Sequence, residues 1–209
     1  MTIKIEPLID PPKFKAGAEL RERVLETASK LFAEGGYENV SIRRIAEDVG
    51  CSQMAMYRHF ADKEALMQQL CIDLYEQFTI RLHKTYDLIE DPKERLRQMI
   101  RQFITLSIKN PYHYRLVFLT SSSSEQAQNL RNRAAEPALA YFRKALRLAL
   151  PTDLPEILVE QRMHQLLACL HGMAVLLITH PHTYKITKAS ALRELEYVFE
   201  LLLAVDQKN

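Results

Sequence analysis

The chain has 209 residues, of which only 5 are glycine, where average usage would give about 15. Gly17, Gly35, Gly36 and Gly50 fall in the first 50 residues and only Gly172 follows; this argues against a β fold full of tight hairpins and excludes a glycine-rich phosphate cradle beyond residue 50. The 28 Lys and Arg against 26 Asp and Glu leave a net charge of +2, which by itself gives no reason to expect a nucleic-acid partner. The 47% of hydrophobic residues is ample for a packed core and argues against global disorder.

Cys51, Cys71 and Cys169 lack CxxC spacing and read as free thiols of a reduced compartment. The most apolar run, Leu166 to Ile178, has 13 residues and contains His171, whereas a membrane span needs about 20. The opening segment, MTIKIEPLIDPPKFK, is polar and interrupted by Pro7, Pro11 and Pro12, unlike a signal peptide. The expectation is a cytoplasmic protein without membrane contact.

In chain order, residues 1–15 show no periodicity and read as an N-terminal arm. Leu20, Val24, Leu25, Ala28, Leu31 and Phe32 recur at helical spacing until Gly35-Gly36 stops the helix. Ser41 opens a second helix through Ile45, Ala46 and Val49, ended by Gly50. Ser52 opens a third, reaching Phe60, and Asp62 a fourth with Leu66, Leu70 and Leu74 on one face. Asp91-Pro92-Lys93-Glu94 is a capping box with proline at the first helical position, and its helix runs to Asn110, which with Pro111 can cap the next. Ser121 to Ser124 reads as a polar loop, with Ser122 and Glu125 at box spacing. A long helix through Leu130, Ala138, Phe142 and Leu148 follows, which Pro137 should kink or break. Asp153 and Pro155 open a helix lasting to about His180; His180-Pro181-His182 reads as a loop, and residues 188–205 as the last helix. The sum is an all-α chain of about nine helices.

The helices at 41–49 and 52–60 are joined by only a few residues around Gly50, the layout of a helix-turn-helix whose second helix enters the major groove. Gln53 can pair with an adenine edge, and Ala55 is small enough to meet a thymine methyl. Tyr57, Arg58, His59 and Lys63 cluster donors suited to phosphate oxygens.

The segment LFAEGGYENVSIRRIAEDVGCSQMAMYRHFADKEAL resembles the N-terminal DNA-binding domain of TetR-family transcriptional regulators, matching at Phe32, Gly35, Gly36, Ser41, Ile45, Ala46, Val49, Gly50, Ser52, Tyr57, His59, Phe60, Lys63, Glu64 and Leu66. Met54 departs from the Gly or Pro of many members, and Cys51 from the usual Val. The resemblance implies that Ser41 and Arg43 sit near the backbone or groove edge, that Gln53, Met54 and Ala55 face bases, and that Tyr57, His59 and Lys63 clamp phosphates. It also implies a larger helical domain that binds an effector and dimerises. Pro111, Tyr114, Arg115, Leu116 and Phe118 resemble the P-x-x-Y-R-L-x-F stretch of one C-terminal subclass, and His171-Gly172 resembles its Trp-His-Gly signature without the tryptophan. The domains expected are an arm (1–15), a DNA-binding headpiece (16–63) and a ligand-binding and dimerisation domain (64–209).

Polar and aromatic groups in the apolar C-terminal helices, namely Phe103, Tyr114, Phe118, Tyr141, His164 and His171, are candidates to line a pocket for a small organic effector. His164 and His171 are seven apart, about 10.5 Å along a helix and too far to share an ion, so no metal site or cofactor is expected. Ala168 and Gly172, whose small side chains admit a neighbouring helix, and the stripe of Leu195, Phe199 and Leu202 are the candidate homodimer surface. The reading is a homodimeric repressor released from a palindromic operator by an effector; the alternative is a helical enzyme acting through His164 or His171. The near-zero charge is then sorted by position. Residues 1–70 hold 10 basic and 11 acidic side chains, with Arg43, Arg44, Arg58 and Lys63 on the expected DNA side and Glu19, Glu22, Glu26, Glu34 and Glu38 mainly on the first helix and its exit.

Overall fold

The computed structural model describes residues 16–109, 111–119 and 125–204. Among them it forms ten α-helices, one π-helical turn and no strand: α1 (Ala16–Gly35), α2 (Ile42–Val49), α3 (Gln53–Tyr57), α4 (Lys63–Leu88), α5 (Pro92–Lys109), α6 (Pro111–Tyr114), a π turn (Arg115–Leu119), α7 (Glu125–Ala149), α8 (Glu156–Thr179), α9 (Pro181–Tyr184) and α10 (Lys188–Leu203). The chain divides into two compact units, one reaching to Leu66 and one beginning at Met67. The expected arm, the Asn110 cap and the Ser121–Ser124 loop lie outside the described residues.

In the first unit the end of α1, both ends of α2 and the start of α3 have local causes. Gly36 follows α1 at φ +80°, and the Asn39 side chain donates to the Gly35 carbonyl at 3.0 Å, tying the exit turn down. The Ser41 hydroxyl accepts from the Arg44 N–H at 3.2 Å, relieving one unpaired donor of α2. Gly50 closes α2 at φ +76°, with its N–H on the Ala46 and Glu47 carbonyls. No atom lies within 4 Å of where a Gly50 Cβ would stand, so the demand for glycine comes from the backbone angle, not from space. The Ser52 hydroxyl then accepts from the Ala55 N–H at 3.1 Å and starts α3. The period of 3.6 puts Val24, Ala28, Phe32, Ile45, Ala46, Val49, Met56 and Phe60 in one buried core. The Arg23 guanidinium adds a hydrogen bond to the Val49 carbonyl.

The structure shortens the third helix relative to the sequence expectation of 52–60. It ends at Tyr57, and the N–H groups of His59 and Phe60 both turn onto the Met56 carbonyl, at 2.9 and 3.0 Å. This tightening carries Phe60 into the core before Asp62 caps α4 through the Ala65 N–H at 2.7 Å.

The second unit is built around α5, which packs against α7, α8 and α10. Asp91 accepts from the Glu94 N–H at 2.6 Å, but the Glu94 carboxylate accepts from Gln98 and Arg97, at 2.8 and 2.9 Å. Pro137 does not break α7, which is continuous from Glu125 to Ala149. Pro137 and Arg133 are both exposed, so water can serve the Arg133 carbonyl that loses its intrahelical donor. Pro155, not Asp153, occupies the N-cap position of α8, and no side chain caps that end. His180-Pro181-His182 is not a plain loop: Pro181 starts the one-turn α9, closed by Lys185 at φ +52°. Thr187 and Ser190 form a reciprocal capping box at the start of α10.

Among the described residues α8 is the one helix long and apolar enough, by length and composition alone, to cross a membrane. Its Val159, Met163, Leu166, Leu170 and Ala174 belong to the core of the second unit. The stripe of Leu195, Phe199 and Leu202 was expected on a dimer surface. Those side chains are 2%, 1% and 5% exposed within the single chain, packed into the same core. That face of α10 is consumed by α5 and α8, because an apolar stripe buries against the nearest apolar partner and the chain itself supplies one.

Candidate nucleic-acid interface and an internal cavity

Three residues, Gly50 to Ser52, separate α2 from α3. Met56, at 1% exposure, fixes which face of α3 turns inward. Gln53, Met54, Tyr57, Arg58 and His59 are exposed, and Ala55 is half-buried. A cleft of about 530 Å³ lies beside them, lined among others by Ser41, Arg43, Gln53, Tyr57, Asp62 and Lys63. The structure therefore brings together residues from the starts of α2, α3 and α4.

Their polar groups are partly engaged. Arg43 pairs with Glu47 at 2.9 Å and Arg44 with Asp48 at 3.1 Å, both on exposed α2 faces where such pairs hold weakly. The Lys63 ammonium donates to the Tyr37 carbonyl at 3.0 Å and stands 4.3 Å from the centre of the Tyr37 ring. Tyr37, itself edge-on to Phe32 at 5.2 Å, thus holds the α1–α2 loop against the start of α4. Sequence reasoning missed Tyr37: its partner lies 26 residues away, beyond any local periodicity.

The second unit holds a small cavity of about 20 Å³, lined by Leu74, Tyr75, Phe78, Phe103, Leu106, Ser107, Tyr114 and Phe118. Of the six residues expected at a pocket, Phe103, Tyr114 and Phe118 line it. His171 stands directly behind, with Nδ1 at 2.8 Å from the Tyr114 hydroxyl and its ring 5.0 Å from Phe103 and 4.7 Å from Phe118. The other two stand elsewhere. Tyr141 lies against His83 and Tyr86, at 5.6 Å from each. His164 is exposed on α8, two turns before His171. The lining residues of α4, Leu74, Tyr75 and Phe78, were not foreseen, although their spacing of one helical turn is the signal that could have found them. A π turn at 115–119 brings the Phe118 ring to 4.8 Å from Tyr114; such turns recur at functional sites.

Burial pushes His171 below the ordinary histidine range and the Tyr114 hydroxyl above the ordinary tyrosine range. Both groups stay neutral near pH 7; the Tyr114 hydroxyl also lies 3.3 Å from the His171 carbonyl, and the histidine tautomer sets which of Nδ1 and the hydroxyl donates to the other. Burial also lowers His113. For a histidine whose folded pKa is depressed, the unfolded chain takes up the proton first. The stability involved is therefore full above about pH 6.5 and is lost as pH falls through it, at no more than about 1.4 kcal/mol per pH unit for each histidine. The urea midpoint is expected to drop between pH 7.5 and 5.5, and His171→Gln to reduce that drop. An unchanged drop in the variant would remove His171 from the account.

Burial raises the Cys71 thiol to about 11, so it is protonated at neutral pH, and all three cysteines are free. Among the described residues no three His, Cys, Asp or Glu side chains cluster as metal ligands.

Residues 24–70 match the family model described as bacterial regulatory proteins, tetR family, and residues 96–202 match the tetracyclin repressor-like C-terminal domain. An HTH-type transcriptional regulator of Staphylococcus aureus (strain USA300) is 35% identical over 83 residues, 36% of this chain; the chain spans only 45% of that relative's length. Among solved structures, a regulator from Syntrophomonas wolfei assigned to the TetR family aligns with a TM-score of 0.75 at 20% identity, covering 92% of this chain and 99% of that one. FadR from Bacillus subtilis, solved in complex with stearoyl-CoA, aligns with a TM-score of 0.73 at 17% identity, covering 88% and 97%. These likenesses favour a regulator over the enzyme alternative. With both halves matched to the family's models, the chain belongs to the TetR family of bacterial regulatory proteins.

Proposed function

We propose that the protein is a homodimeric transcriptional repressor of the cytoplasm, which binds a palindromic operator through α3 and releases it when a small organic effector enters the second unit. The observation that carries the reading is the sorting of α3, with Met56 and the following Phe60 inward and Gln53, Tyr57, Arg58 and His59 outward. Gln53 reads an adenine edge, while Tyr57, Arg58, His59 and Lys63 meet phosphates, with Ser41 and Arg43 at the groove edge. Contact with DNA would exchange the weak Arg43–Glu47 pair for a phosphate partner.

Two recognition helices reach successive major-groove faces only in a symmetric dimer. The outward face of α8 supplies a surface for a second copy. Ile157, Gln161, His164, Ala168 and Gly172 are exposed along it, flanked on α10 by Tyr197 and Leu201, at 69% and 54% exposure. The space around Gly172 is open, so a partner helix can approach closely.

The effector site is the cavity beside Tyr114 and His171. At about 20 Å³ it holds no organic molecule as it stands. An effector therefore binds only a conformer in which these helices have parted, and it shifts the population toward that conformer by its differential affinity.

The test is a gel shift against the DNA flanking the protein's own gene, repeated across salt concentrations. Binding should fall steeply with salt, as phosphate contacts release counterions. Tyr57→Phe should weaken binding several-fold on every sequence. Gln53→Ala should cost about tenfold and relax preference at one base pair. Binding that ignores salt and both substitutions would place the interface elsewhere.

A further inference from the structure

We propose that Met54 reads a thymine 5-methyl group in the major groove and so fixes one T·A pair in each half-site, an inference that rests on α3 being the groove-entering helix. Met54 is the second residue of α3 and is 71% exposed, more than any other large hydrophobic side chain described in the first unit. It shares the outward face with Gln53, Tyr57 and Arg58, while Met56 points to the core. The first residues of a recognition helix are those that reach base edges.

The chemistry of the side chain then limits what it can read. A thioether has no donor and is a weak acceptor, so Met54 complements an apolar feature. The base edges of the major groove offer donors, acceptors and one apolar group, the thymine methyl. Sequence alone assigns that contact to Ala55. In the structure Ala55 is half-buried, with its N–H tied to the Ser52 hydroxyl at 3.1 Å, so its methyl has less surface to offer. Met54 is unbranched and has three rotatable side-chain bonds, so its end can settle on a methyl group without exact backbone placement.

The full-length protein is used to select duplexes of about 30 bp, room for two half-sites one helical turn apart, from a random pool. Each thymine of the selected half-site is then replaced by deoxyuridine, which removes only the methyl group, and affinity is read by fluorescence anisotropy. At one position per half-site the replacement should weaken wild-type binding about four-fold, the worth of one buried methyl-sized group. Met54→Ala should bind the thymine and uracil duplexes equally. Its exposure leaves folding undisturbed, which circular dichroism checks. A wild-type protein indifferent to every replacement, or a methyl preference that persists in Met54→Ala, overturns the assignment. Failure of the wild type to select any duplex overturns the DNA-binding reading itself, so the two failures are distinguishable.

Discussion

Phe199→Ala should lower the unfolding free energy by about 3–5 kcal/mol, the range for an aromatic side chain removed from a closed core. The Phe199 ring is 1% exposed, and the Arg97 guanidinium stands 4.6 Å from its centre. The loss should have the same size at every protein concentration, because the contacts removed lie within one chain. Tyr197→Ala, two positions away and 69% exposed, makes the contrast. It should change the stability of the chain by no more than about 0.5 kcal/mol while weakening self-association in sedimentation. The reverse outcome, with Phe199→Ala shifting only the dimer equilibrium, would restore the stripe of Leu195, Phe199 and Leu202 to the dimer surface.

Arg97→Met should cost about 2 kcal/mol at low salt, between the small worth of exposed ion pairs and the loss from breaking a buried one. Arg97 joins α5 to α10: it pairs with Glu94 at 2.9 Å, with Glu200 at 3.1 Å, and with Glu196. Its side chain is 23% exposed, so solvent screens it only in part. Methionine keeps much of the packing over Phe199 but leaves Glu196 and Glu200, four apart on one helix, repelling each other with only Arg101, 3.6 Å from Glu196, as a remaining counter-charge. Chemical denaturation at low and at 1 M salt measures this, and the cost should shrink at high salt. A cost that ignores salt would mean that the packing over Phe199, not the charge, is what Arg97 contributes.

The helical punctuation was legible because it is local. Ser41, Ser52 and Asp62 each cap a helix from within three residues, and Gly50 needs only its own backbone angle to end α2. The near-neutral charge was legible once sorted by position: Arg43 and Arg58 are exposed near the cleft, while Glu19, Glu26, Glu34 and Glu38 are exposed along α1 and its exit. What was misjudged depends on partners distant in sequence. The end of α3 is set by Phe60 entering a core shared with α1 and α2. The continuity of α7 through Pro137 depends on that face being open to water.

The apolar and polar patterns by themselves determined that the chain is helical, where most helices begin and end, and that residues 41–60 form a helix-turn-helix. Those properties follow from contacts within one or two turns. Only the tertiary structure decided which of several similar stripes and rings meet. It buried Leu195, Phe199 and Leu202 inside the chain and left Ala168 and Gly172 outside. It paired Tyr114 with His171 while leaving His164 in solvent. It left Met54 exposed on α3 and its neighbour Ala55 half-buried. The physical reason is that periodicity tells which face of a helix is apolar, whereas only the packing of the other helices determines what that face touches.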